Sequence, residues 1–380
     1  MCNVIRLSLV SLSLASPLVA QGPVARTLLT KPEAEFAESF DQILSLRELP
    51  GGRVLVTDLG PRTVVLANFT SGTVTTVGRN GQGPGEYQQP GDLIPARGDT
   101  TLVVDRASRR FLLIRPDGTM GATVPFPEEV QGFPEPRGMD HQGRIYFQGS
   151  AFGGPGAETE ELPESVAVVR WQRGTTQLDT VARVKIPSLK MQVTGSANAR
   201  AVMMRSQPYA PQDEWRVASD GRVAVGRVGD YHVEWLGVGA PVVGPAVPYQ
   251  PVKVTAADRA AFLSGMRNNR NRITVNVGGG GRDREIKPPE VDEKDFDWPA
   301  VKPPFVGRAS FMAPEGQFWL QRSNPTQDST AVFDVFGTTG HPAGQVILPR
   351  GRRLVGLGQG TLYATRTDAD GLQWLERYRR

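Results

Sequence analysis

Short runs of alternating apolar and polar residues fill this chain, the period of strands with a buried face. Two are closely matched: "GRVLVTDLGPRTVVL" from Gly52 to Leu66 and "DTTLVVDRASRRFLLI" from Asp99 to Ile114. In each, a strand ends at an aspartate, a short turn leads to an arginine, and a second apolar strand follows. Leu55 and Leu102, Asp58 and Asp105, and Arg62 and Arg109 are all 47 residues apart. Each copy closes on a glycine turn, at Gly72 and Gly118.

Weaker copies open at Gly143, Gly221, Gly316 and Gly360, which makes six. Second strands follow them in "VAVVRW", "YHVEWL", "AVFDVF" and "LQWLERY". Six small sheet units spaced by about 45 residues predict a six-bladed β-propeller, an all-β ring in which every blade is covered on both faces. The last copy has too few strands, while "VARTLLTK" (Val24–Lys31) has one to spare. An N-terminal strand is therefore expected to complete the final blade and remove its open edges. The period stretches around 150–165, 188–213 and 252–302. The last of these is a helix-plus-loop insertion between blades 4 and 5. Thr255 with Asp258 three residues on is a capping-box start, Ala260–Leu263 continue a helix that Gly265 weakens, and a glycine- and proline-rich loop follows.

Composition agrees with strands joined by turns: 43 glycines and 31 prolines leave little room for long helices. Residues 1–20 form one charged start and one apolar, serine-dotted run too short to span a bilayer, which reads as a cleaved secretory signal. The mature part, 21–380, is then expected to be one propeller, periplasmic or secreted and monomeric, with no membrane attachment. Cys2 is the only cysteine and falls within the signal, so the mature chain is expected to have no disulfide and no thiolate site. The formal net charge is +4, one unit of it from Arg6. That is too mild for a nucleic-acid surface.

"GRNGQGPGEYQQPGDL" (Gly78–Leu93) looks like a phosphate loop, but no helix follows it, Pro84 removes an N–H and no Lys-Ser/Thr pair ends it. It reads as a connection between blades, with Tyr87 packed between them and a proline opening the second. Asp58 and Asp105 are expected to accept hydrogen bonds from turn N–H groups and to pair with Arg62 and Arg109 across the hairpins. His141, His232 and His341 fall out of register with one another, so they are not expected to converge on a metal. No Gly-x-Ser-x-Gly elbow occurs. Arg267, Arg270, Arg272, Arg282 and Arg284 concentrate basic charge in the insertion and are the candidate partner-binding residues.

The Gly78–Leu93 linker followed by "LVVDRASRRFLLIRPDG" resembles six-bladed propellers of the NHL and TolB-like type, specifically over residues 40–120 and loosely beyond. The resemblance implies a ring that binds on one face, and no single activity. The expected function is an exported, non-enzymatic propeller that binds a protein, peptide or glycan without a cofactor. The alternative is a calcium-dependent, lactonase-like hydrolase or lyase with its site in the central channel.

Overall fold

The computed structural model describes residues 24–130, 132, 134–151, 163–194, 201–270 and 292–380. Their strands form six blades of four strands each, the sheet of blade 5 carrying one strand more. Blade 1 is Ile43–Leu49, Arg53–Asp58, Thr63–Asn68 and Thr73–Thr76; blade 2 is Pro90–Pro95, Thr101–Asp105, Arg110–Ile114 and Met120–Pro125. Blade 3 is Glu135–Met139, Arg144–Gln148, Ser165–Gln172 and Leu178–Lys185; blade 4 is Glu214–Val217, Val223–Arg227, His232–Leu236 and Val242–Val243. Blade 5 is Phe305–Met312, Phe318–Arg322, Val332–Phe336 and Pro342–Ile347. Blade 6 takes Arg352–Gly358, Thr361–Thr367 and Gln373–Arg379 from the end of the chain and Ala34–Phe40 from its start. Strands are lettered a to d in the order given. The a strands of successive blades touch around a closed circle, blade 6 against blade 1 included.

Alternation along the strands explains the ring. Val54 and Val56 pack with Phe36, Tyr363 and Leu375 of blade 6, whereas Leu55 and Val64 pack with Leu93, Val103 and Leu112 of blade 2. The same division repeats at every boundary, so six hydrophobic clusters fill the six interfaces between blades. Each fully buried Val or Leu stabilises by about 1.5–3 kcal/mol. A blade alone would leave both faces wet.

Closure uses an N-terminal strand, though not the one expected from sequence. Ala34–Phe40 pairs antiparallel with Gln373–Arg379, while Arg26–Leu28 pairs parallel with the outer strand of blade 5. The reason is burial. Phe36 and Phe40 are inside the interface, whereas Arg26, Thr27 and Leu28 are all exposed.

The six repeat copies each open the b strand of a blade, and Pro90 opens blade 2 as expected. The stretch at 188–213 contains a strand pair, Leu189–Thr194 with Ala201–Ser206. Between blades 4 and 5, Ala256–Arg270 is a helix, here α1, which passes Gly265 without a break. Its capping box forms with aspartate at the third position: the Thr255 N–H donates to Asp258 at 2.7 Å and the Asp258 N–H to Thr255 Oγ1 at 3.3 Å. No helix among the described residues is long and apolar enough to cross a membrane. The proposed signal, residues 1–20, lies outside the described residues.

Candidate functional site: the central channel

The six a strands surround a channel of about 1210 Å³. Leu59 and Arg106 from b–c turns, with Asn324–Thr330 of blade 5, line one mouth; Ser219, Ala313 and Pro314 from a–b turns line the other. The insertion stands at the first mouth. There Asp258, fully buried, pairs with Lys302 at 2.7 Å and accepts a hydrogen bond from Thr326. Burial works to raise the Asp258 pKa, but its bonds to Lys302, Thr255 and Thr326 outweigh that and hold the carboxyl far below its usual value.

The channel wall on the side of blades 2 to 5 carries interleaved charge. Arg106 meets Asp92 at 2.9 Å, and Arg137 meets Glu135 at 3.0 Å and Glu214 at 3.7 Å. Arg308 reaches Glu135 at 2.7 Å, and its N–H donates to Glu214 at 2.5 Å. Ser310 and Gln212 also donate to Glu214. Burial acts to raise the Glu135 pKa, but the charges of Arg308 and Arg137 prevail and hold it below its ordinary value. Arg308 sits at φ 64°, left-handed backbone that favours glycine. It falls inside the irregularity of blade 5's strand a, between the pairs Phe305–Arg322 and Ser310–Leu320.

Arg216 completes the group differently. No carboxylate among the described residues is in ion-pair contact with it, and it donates to the backbone oxygen of Trp215 at 3.0 Å. It is half-buried in the channel wall, and the desolvation there, with Arg137 nearby, lowers its pKa to about 10. It stays protonated at neutral pH. Arg47 holds the equivalent register in blade 1: it lies opposite Leu55 as Arg216 lies opposite Ala224, each three residues past the turn glycine. Arg47 donates to Thr101 Oγ1 at 2.6 Å and to the Thr100 carbonyl, and so ties blade 1 to blade 2.

The residues singled out in the sequence fall elsewhere. Arg267 and Arg270 belong to α1, and Arg272, Arg282 and Arg284 lie outside the described residues. Asp58 and Asp105 do accept backbone N–H groups, from Asp41 and Gln42 and from Gln88 and Gln89. The expected arginine pairing does not hold. Arg62 and Arg109 have positive φ, 55° and 47°, at the same turn position that Tyr231 fills in blade 4. With its backbone so turned, Arg109 donates to the carbonyls of Val130 and Gly132, and it is Arg110 that meets Asp105, at 3.1 Å. The three histidines keep separate partners: Ser219 for His141, Asp230 and Glu234 for His232, and Thr339 for His341.

The glycine run is indeed a connection between blades. Tyr87 is buried and its oxygen accepts the Val64 N–H at 3.0 Å. The loop nevertheless cradles an anion of its own, since Gly83 N–H donates to the Glu86 carboxylate at 2.8 Å and Arg79 pairs with it at 2.7 Å. Those bonds lower the Glu86 pKa, the Gly83 one foremost. Gly81 allows this because a Cβ there would collide with the Glu86 carboxylate.

No protein-family model matches the chain, and no curated protein gives a significant match. Solved structures share the architecture at low identity. A streptogramin B lyase is 10% identical, with 91% of this chain and 86% of that one covered and a TM-score of 0.39. Regucalcin, a calcium-binding protein of Agrobacterium tumefaciens, is 10% identical over 93% of this chain and 95% of its own, at 0.41. A Bacteroides fragilis protein provisionally described as exported is 10% identical, with 94% and 99% covered, at 0.45. The chain is an all-β, six-bladed propeller by its own strand order.

Proposed function

We propose that the protein is an exported, non-enzymatic propeller that binds a protein, peptide or glycan at the mouth of its channel beside the insertion. The observation that carries this reading is the state of the channel carboxylates. Asp92, Glu135 and Glu214 are each engaged by arginine, and Asp328 at the mouth accepts the Thr330 N–H, so the carboxylates of the wall among the described residues are taken up in contacts, which favours binding over acid–base work. The NHL and TolB-like resemblance of the Gly78–Leu93 linker, and export by residues 1–20, belong to the same proposal. The arginines of the insertion, Arg267, Arg270, Arg272, Arg282 and Arg284, are offered as an added contact for an acidic partner.

The calcium-dependent alternative fits these residues poorly. Calcium needs six to eight oxygen ligands, and the guanidinium groups that hold these carboxylates repel a dication. Among the described residues, no three His, Cys, Asp or Glu side chains group as a metal site requires.

Two measurements test the proposal. Thermal unfolding of the purified protein is expected to be unchanged by chelator, and a chelator-induced fall in Tm with stoichiometric metal would favour the hydrolase or lyase. Envelope extract passed over wild type and over an Arg308→Gln, Lys302→Gln double variant should give partners retained only by wild type. Identical retention by both would remove this mouth as the binding surface.

A further inference from the structure

We propose that the wall between blades 2 and 5 is a binding site for one carboxylate group of the ligand, received by Arg216 with Arg137 and Arg308. The proposal deepens the binding reading above and rests on it for biological meaning, but not for its test.

Four guanidinium groups, on Arg106, Arg137, Arg216 and Arg308, stand among three carboxylates, on Asp92, Glu135 and Glu214. The group is one negative charge short, and Arg216 is the member with no carboxylate in ion-pair contact, feeling Glu214, Asp92 and Glu135 only at longer range. A second observation points to the same place: Arg137 Nη1 is buried and makes no hydrogen bond, its carboxylate neighbour Glu214 standing at the long ion-pair distance of 3.7 Å. A third is the left-handed backbone of Arg308, whose side chain is 68% exposed towards a channel that Arg216 and Arg137 also line. Strained backbone of this kind concentrates at ligand clamps.

A carboxylate satisfies all three conditions. Its two oxygens match the planar fork of a guanidinium, and a single negative charge balances the four arginines. A dication would meet the surplus arginine, and a neutral sugar hydroxyl would leave it uncompensated. Val306, two residues from Arg308 on the same strand, is exposed on the channel wall, so the ligand next to the carboxylate meets apolar surface.

Trp215 gives a direct readout, because the Arg137 guanidinium lies 5.5 Å from the centre of its ring. The experiment titrates full-length mature protein with butyrate and with butyramide, its uncharged isostere, at constant ionic strength set by chloride. Intrinsic fluorescence and Tm are followed. Butyrate at ten times its Kd is expected to raise Tm by about 2–5 °C and to shift the tryptophan emission, while butyramide does neither. Arg216→Gln should fold, because it removes a desolvated charge with no carboxylate partner, and should lose the butyrate response at least tenfold. Arg216→Lys should recover part of it, and Trp215→Phe should lose the emission change but keep the Tm shift. Equal responses to acid and amide, or a full butyrate response in both Arg216→Gln and Arg308→Gln, would overturn the site. Inorganic phosphate is the second arm: a response to phosphate as strong as to butyrate at equal charge would overturn the carboxylate assignment. If butyrate binds but no macromolecular partner is retained, the binding-protein reading fails while the site stands.

Discussion

Glu214 and Arg216 share a strand of blade 4, two residues apart, yet their substitutions should act in opposite senses. Glu214 is fully buried and accepts bonds from Arg308, Ser310 and Gln212. Glu214→Gln removes a charge that several partners were built around, and is expected to cost about 3 kcal/mol, read as a lower urea midpoint. Arg216→Gln removes the charge that lacks a carboxylate, and the midpoint should hold or rise. The spacing was visible in sequence as "EPR" at Glu135 and "EWR" at Glu214, the same Glu-x-Arg pattern in the a strands of two successive blades. In sequence alone, charged residues in an a strand read as solvated edge positions, and only the ring shows that this strand faces a channel. Arg308 gave still less away, since "VGRAS" carries no sign that Arg308, not Gly307, takes the left-handed backbone.

Asp258 at the root of the insertion makes a prediction with a pH sign. Its folded pKa is depressed, so its contribution is complete above the unfolded value of about 3.9 and is lost as pH falls through the folded value. The carboxyl is held so low that the insertion should stay docked through the mildly acidic range. Asp258→Asn leaves the Lys302 ammonium buried without its partner, at a cost of about 3 kcal/mol. Proteolysis of that variant should begin between residues 250 and 302 before the blades are cut. Cleavage spread evenly over the chain would show that Asp258 supports the ring rather than the insertion.

Among the elements, the two N-terminal strands separate what pattern can and cannot reveal. The sequence reading assigns ring closure to "VARTLLTK" as the strand to spare near the N-terminus, and Ala34–Phe40 is not singled out there. The structure selects Ala34–Phe40 because two aromatic rings reach the interface between blades 6 and 1, where Phe36 packs edge-on against Phe69 with ring centres 5.3 Å apart. Phe36→Ala is expected to cost about 3–5 kcal/mol, whereas Leu28→Ala at an exposed position should change stability by less than about 0.5 kcal/mol. Denaturation of the two variants side by side decides which strand closes the ring. Strand existence was legible throughout because period-2 alternation is local. Which edge each strand joins was not, since that depends on side-chain shape across hundreds of residues.

For the whole molecule, the 47-residue period was enough to count the blades, although only the first two copies keep the aspartate and arginine. The later blades substitute other devices at the same seams. Asp334 of blade 5 takes the Tyr231 hydroxyl of blade 4, and Glu48 of blade 1 takes that of Tyr363 in blade 6 at 2.7 Å. These polar staples differ in residue type from seam to seam, which is why the motif fades while the ring persists. The seam between blades 6 and 1 has a further consequence in time. Among the described residues Ala34–Phe40 pairs with Gln373–Arg379 alone, so a strand near residue 40 waits for one beyond residue 370. Loop-closure entropy and contact order both rise with such a separation. Until Gln373–Arg379 is in place the ring stays open, so its closure is a late step of folding, and a variant that weakens this one strand pair should slow the final step while leaving the earlier blades to form.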